Sequence, residues 1–258
     1  MKYFAIFTIF LFIFIKSSYQ QIVPLHNDSI AIEFIVQVER APLTPGGNIT
    51  YLGTGTLLTF HHILTTRAIY QNVELPNSVI YRFRGTRVGE GFRAQAAQIV
   101  LHAQADIAIA RMNHRVDQQF SFSPRNRAPA LPQNRFCTLY GFNLAPNEQN
   151  LMMTPIVVRT GAEHCGANGF LCANGVIGQF PVCGGLLGAA IICDGNNIAG
   201  LVTTDNFCVA INPRINMLAV NDFQQWINDQ TAGGAKGNFG KSSLIGAILS
   251  VFLIKIFM

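Results

Sequence analysis

Between two strongly apolar ends, the chain alternates short runs of β-branched, aromatic and aliphatic residues with Gly, Pro and Asn. The runs fall at residues 33–38, 54–58, 79–83, 98–101, 107–112, 138–142, 156–159, 187–192, 198–202 and 209–211. Short strands at this spacing, with no helix between them, predict an all-β barrel or sandwich rather than βαβ units. One helical pattern, at 216–230, places Leu218, Phe223, Trp226 and Ile227 at spacings that share a face. The predicted order is strands first and a helix last.

The apolar ends change the picture of the whole. Residues 3–15 are almost uninterruptedly apolar, with Lys2 before and Lys16 after. That pattern predicts a secretory signal peptide over residues 1–20, because the run falls short of the roughly 20 residues that cross a bilayer. At the other end, 244–258 is apolar apart from Lys255 and follows a polar spacer and the small residues Ala232, Gly233 and Gly234. Residues 231–258 are therefore expected to be a GPI-attachment signal, with the lipid joined at Ala232 or Gly233. A short membrane-anchoring helix or a loose tail is the alternative.

All five lysines lie in these ends, and the thirteen arginines of the remainder balance its thirteen acidic residues. The formal charge of +5 thus belongs to the precursor, and basicity makes no case for a nucleic-acid partner. Arg82, Arg84, Arg87 and Arg93 do cluster. They read as a solvated face, with an anionic ligand as the alternative.

Six cysteines behind a secretory leader predict three disulfides. None forms a C-x-x-C pair, so no metal site is expected, and no cofactor is expected either. The sequons at Asn27 and Asn48 predict glycosylation in the same compartment.

Several segments, taken in order, resemble the chymotrypsin/trypsin family of serine peptidases (peptidase S1). They are GTGTLLTFHHILTTRAI at 53–69, ADIAIARM at 105–112, CTLYGFN at 137–143, Asn212-Pro213-Arg214-Ile215, and Trp226-Ile227. The resemblance covers residues 22–230. It implies two six-stranded antiparallel β-barrels packed face to face around a cleft, followed by a C-terminal α-helix. It also implies the pairings Cys137–Cys193, Cys165–Cys172 and Cys183–Cys208.

That family uses a serine nucleophile, a histidine that takes its proton, and an aspartate that orients the histidine. The three positions fall on Leu187, Ala68 and Asp106. The run Pro181-Val182-Cys183-Gly184-Gly185 suggests a thiol nucleophile instead. However, Cys183 and Cys193 stand ten positions apart, as the two cysteines around the family's nucleophile motif do, so Cys183 reads as framework. Leu186 then replaces the aspartate beside the serine. Gly53 and Ile69 occupy both ends of the disulfide that ties down the histidine loop. Ile22-Val23 continues without the two glycines of an activated N-terminus, and Pro181 at the specificity pocket brings no charge. Gly185 remains at one oxyanion-hole position, where glycine is equally a turn residue.

Asp106, with no imidazole to orient, is expected to be a buried carboxylate held by backbone N–H groups or by Thr203. Leu186 and Leu187 are expected to fill the former cleft, the alternative being that they line a peptide groove. His26, His61, His62, His102, His114 and His164 read as surface or loop histidines, and Trp226 as a helix anchor. The expectation is a secreted or surface-anchored pseudoprotease that binds an active protease, its substrate or its inhibitor. A serine-type endopeptidase with a displaced catalytic set and a structural surface protein are the alternatives.

Overall fold

The computed structural model describes residues 33–42, 47–71, 73, 78–116, 126–128, 134–142, 149–165, 171–175, 185–193, 197–203 and 214–232. The first six strands are β1 (Ile35–Arg40), β2 (Thr50–Thr59), β3 (His62–Thr65), β4 (Val79–Phe83), β5 (Phe92–Leu101) and β6 (Ala108–Met112). They close into an antiparallel barrel in the order β1-β2-β3-β6-β5-β4. Alternation fills its interior: Val79, Tyr81 and Phe83 of β4 are buried, together with Leu57, Ile63, Leu64 and Ile109. Burying each such side chain contributes about 1.5–3 kcal/mol. Tyr70 and Tyr81 pair hydroxyl to hydroxyl at 2.9 Å inside the protein. Burial pushes both phenols well above their ordinary pKa, so the pair stays neutral.

The second set comprises β7 (Asn126–Arg127), β8 (Phe136–Phe142), β9 (Leu151–Thr160), β10 (Leu171–Gly175), β11 (Ala190–Cys193), β12 (Asn197–Val202) and β13 (Arg214–Ala219). Six of them run β11-β8-β9-β10-β13-β12, and a β11–β12 pairing joins the ends. β7 adds to β12 in parallel. The core here holds Leu139, Ile156, Val158, Leu186, Ile191, Val202 and Ile215. The two β systems touch through edge-to-face rings, Phe34 on Tyr140 at 5.3 Å and Tyr51 on Phe142 at 6.1 Å. The trypsin-like two-barrel architecture expected from the sequence is the architecture observed.

Two disulfides staple the second set, Cys137–Cys193 and Cys165–Cys172, as the resemblance implied. Cys183 and Cys208 lie outside the described residues, as do the signal segment, Asn27, Gly233, the apolar tail and the strand expected at 209–211. Asn48 is exposed, as a glycan acceptor must be. Among the described residues no helix is long and apolar enough to cross a membrane.

Local structure departs from the sequence pattern in three places. The helix expected over 216–230 begins only after β13 and a 3-10 turn at Val220–Phe223, and it spans Gln224–Ala232. Residues 216–219 complete a strand because Met217 and Leu218 pair with Val202 and Leu201. The apolar spacing of 216–223 therefore reflects strand burial, which a helical period imitates over so few residues. The strand expected at 187–192 starts at Ala190, since the preceding residues form a turn. β3, β7 and β10 are additions; β3 and β7 are too short for a period to register, and β10 carries Cys, Ala, Asn and Gly, which do not mark a strand.

Candidate functional site

β3 ends at Thr65 and runs into a 3-10 turn, Arg67–Tyr70, anchored by buried Ile69 and Tyr70. The turn presents Ala68 to the loop between β5 and β6. There Asp106 Oδ1 accepts a hydrogen bond of 2.7 Å from the Ala68 backbone N–H, and the Arg67 N–H also bonds this carboxylate. Of the two kinds of partner expected for Asp106, backbone N–H groups supply the support. The residue is half-buried rather than buried. Desolvation raises its pKa above the ordinary carboxylate value, opposed by the Ala68 and Arg67 N–H bonds and by the Arg67 charge.

The loop is held independently of Asp106. Arg67 Nη1 donates to the carbonyls of His102 and Ala103 at 3.2 and 3.0 Å. His102 Nδ1 accepts from the backbone N–H of Gln104 and Ala105, and its ring meets Phe223 edge-on at 5.2 Å. Accepting at Nδ1 places the proton of the neutral ring on Nε2.

The position opposite is the turn 185–188. It is tied to β2 of the first barrel by three contacts. The Thr54 N–H donates to the Leu187 carbonyl at 2.8 Å, the Tyr51 hydroxyl donates to the Gly185 carbonyl at 2.9 Å, and Thr54 Oγ1 donates to that same carbonyl at 3.3 Å. Gly188 has φ +77°, and a Cβ there would run into the Thr54 carbonyl, Thr65 Oγ1 and Ile69 Cδ1. Only glycine combines that backbone with that approach. A Cβ on Gly53 would likewise meet the Leu187 carbonyl at 2.6 Å and Ile69 Cδ1 at 2.7 Å. The turn bearing Leu187 therefore abuts the segment bearing Ala68.

The structure brings Ala68, Asp106 and Leu187 to one junction between the barrels. Asp106 holds the only ionisable side chain of the three. Ala68 carries a methyl group and Leu187 an alkyl side chain, and neither takes or gives a proton. Leu186 is 1% exposed and belongs to the core of the second barrel, where its Cδ2 lies against Gly141. Among the described residues no group of three His, Cys, Asp or Glu side chains is arranged to hold a metal ion.

Two expectations need correction. His62 is not a surface histidine: it lies buried in β3, with Nδ1 2.7 Å from Thr59 Oγ1 and Nε2 without a hydrogen-bond partner. Burial, then the nearby Arg111 and His61 charges, lower its pKa. Arg82 is not part of a solvated cluster: it is 5% exposed, and its Nε donates to Glu39 Oε2 at 2.6 Å. Gln37, opposite Arg82 on β1, donates to the carbonyls of Arg87 and Glu90 in the loop that follows β4. Arg84, Arg87 and Arg93 are exposed as expected.

Sequence reading assigned no role to Tyr51, Thr54, Arg67 or His102, although they position the two loops. The carbonyls that Tyr51, Thr54 and Arg67 reach lie 35 to 134 residues away, and His102 accepts from backbone N–H groups, so side-chain patterns mark neither.

Two antiparallel barrels, with a glycine-rich turn of the second tied to β2 of the first beside the turn that holds Asp106, define a protein of the double-barrel serine-peptidase class. A family model described as Trypsin matches residues 33–227, and the chain belongs to that family. Comparison with curated proteins gives no match.

Proposed function

We propose that this trypsin-family chain is non-catalytic and acts by binding. The observation that carries the reading is the Ala68–Asp106 contact. The backbone N–H of Ala68 meets the carboxylate at 2.7 Å, so the side chain in the histidine position is a methyl group that cannot take a proton. Leu187 in the nucleophile position supports the same reading, because nucleophilic catalysis needs a hydroxyl or thiol activated by a base. The folded junction then serves recognition, with an active protease, its substrate or its inhibitor as the class of partner. On this reading a fluorophosphonate probe leaves the purified protein unlabelled, and stoichiometric labelling would contradict it.

The site of action we propose is the extracellular face of the membrane, with a glycan at Asn48 and a GPI anchor added near Ala232 or Gly233. The two disulfides support an oxidising compartment, and the small-residue, spacer and apolar-tail order supports the anchor. Phosphatidylinositol-specific phospholipase C should release the protein from intact cells into the medium. Full retention on the membrane after treatment would rule the anchor out.

A further inference from the structure

We propose that a pocket in the first barrel, between β4, β5 and the segment after β6, binds a small aromatic molecule carrying a carboxylate or sulfonate. The cavity measures ≈ 540 Å³, within the range of roughly 300–1,000 Å³ typical of small-molecule sites. Ile80, Phe92 and Val116 give it apolar wall, while Arg93, His114 and Arg115 bring nitrogen donors to the same space. No carboxylate lines it among the described residues. Among the described residues, an apolar lining that includes Arg93 and no carboxylate complements an apolar body that ends in an anion.

The wall carrying these groups is built in advance. The N–H groups of Met112, Asn113 and Val116 donate to the carbonyls of His61, Gln95 and Phe60 at 2.7, 3.2 and 3.0 Å. Arg115 is further placed by its Cζ atom, 4.8 Å from the centroid of the Phe60 ring. A ligand entering here would not have to order the segment first, which removes one cost of binding. The pocket also revises the reading of the arginine cluster. Arg82 is taken by Glu39, and Arg93, directly opposite Arg82 on β5, is the member that lines this cavity. The pocket shares no residue with the Ala68–Asp106–Leu187 junction, so it stands whether or not the chain is catalytic.

Anilinonaphthalene sulfonate, an anionic aromatic fluorophore, tests the inference against its neutral counterpart, phenylnaphthylamine. Titrated into the full chain at neutral pH, the sulfonate should bind saturably, one probe per protein. Arg93→Gln should weaken that binding about tenfold, the loss of a charge-assisted contact, and leave phenylnaphthylamine fluorescence unchanged. Arg93 is exposed on β5, where such a substitution costs about 0.5 kcal/mol of stability or less. Equal sulfonate affinity in the two proteins, or an absence of saturable binding, would overturn the inference.

Discussion

Replacing Arg82 with alanine is expected to destabilise the protein by about 3–5 kcal/mol, because it leaves the Glu39 carboxylate charged and unpaired inside the fold. Glu39 is 1% exposed and Arg82 5%, and their ion pair rests on one contact of 2.6 Å. The second carboxylate oxygen, Oε1, already has no hydrogen-bond partner, so nothing stands by to replace the guanidinium. The same physics sets a second expectation. A double variant, Glu39→Met with Arg82→Met, removes both charges and keeps the volume, and such replacements are often close to neutral. Urea unfolding at neutral pH reads both. The account holds if the single variant is much less stable than the double, and it fails if the double is the weaker protein.

The two disulfides should differ in worth according to the chain they close. Cys137 and Cys193 are 56 residues apart and tie neighbouring strands β8 and β11, whereas Cys165 and Cys172 are 7 apart. Loop-closure entropy gives about 4 kcal/mol for the longer loop and about 2 kcal/mol for the shorter. Replacing each pair with alanines and measuring the unfolding midpoint should therefore cost the protein roughly twice as much at Cys137–Cys193. Cys137 and Cys193 are also buried at 4% and 2%, so their loss adds a packing defect in the same direction. Equal costs for the two pairs would mean that chain entropy is not what these bridges supply.

Much of the barrel architecture was legible because burial imposes a period of two on each strand. Val79–Phe83 appears in the structure with the bounds its sequence suggests. Misreadings arose where local pattern and tertiary pairing disagree. Met217 and Leu218 carry a spacing compatible with a helix, but β12 offers them a ladder, and that pairing decides. Leu187 and Gly188 continue an apolar run, yet the positive φ at Gly188 and the Thr54–Leu187 bond turn the chain out of it.

At the junction, the identities of Ala68, Asp106 and Leu187 were readable because each sits in a short segment with its own recognisable neighbours. The environment of His62 and Arg82 was not readable. Whether His62 faces solvent or core depends on the β2–β3 and β3–β6 pairings, and Arg82 looked like one cation among four until Glu39 arrived from a strand 43 residues earlier. Charge clusters in sequence are clusters in space only when the strand register makes them so.

The proposal that the chain is non-catalytic rests on the methyl group of Ala68 beside Asp106 and on the alkyl side chain of Leu187, and covalent labelling addresses it directly. The full chain should be incubated with excess fluorophosphonate beside an active trypsin-family peptidase and weighed intact by mass spectrometry. The account predicts one adduct per molecule on the active peptidase and an unchanged mass for this protein. A stoichiometric adduct on this protein, located to a side chain at the junction of the two barrels, would contradict it.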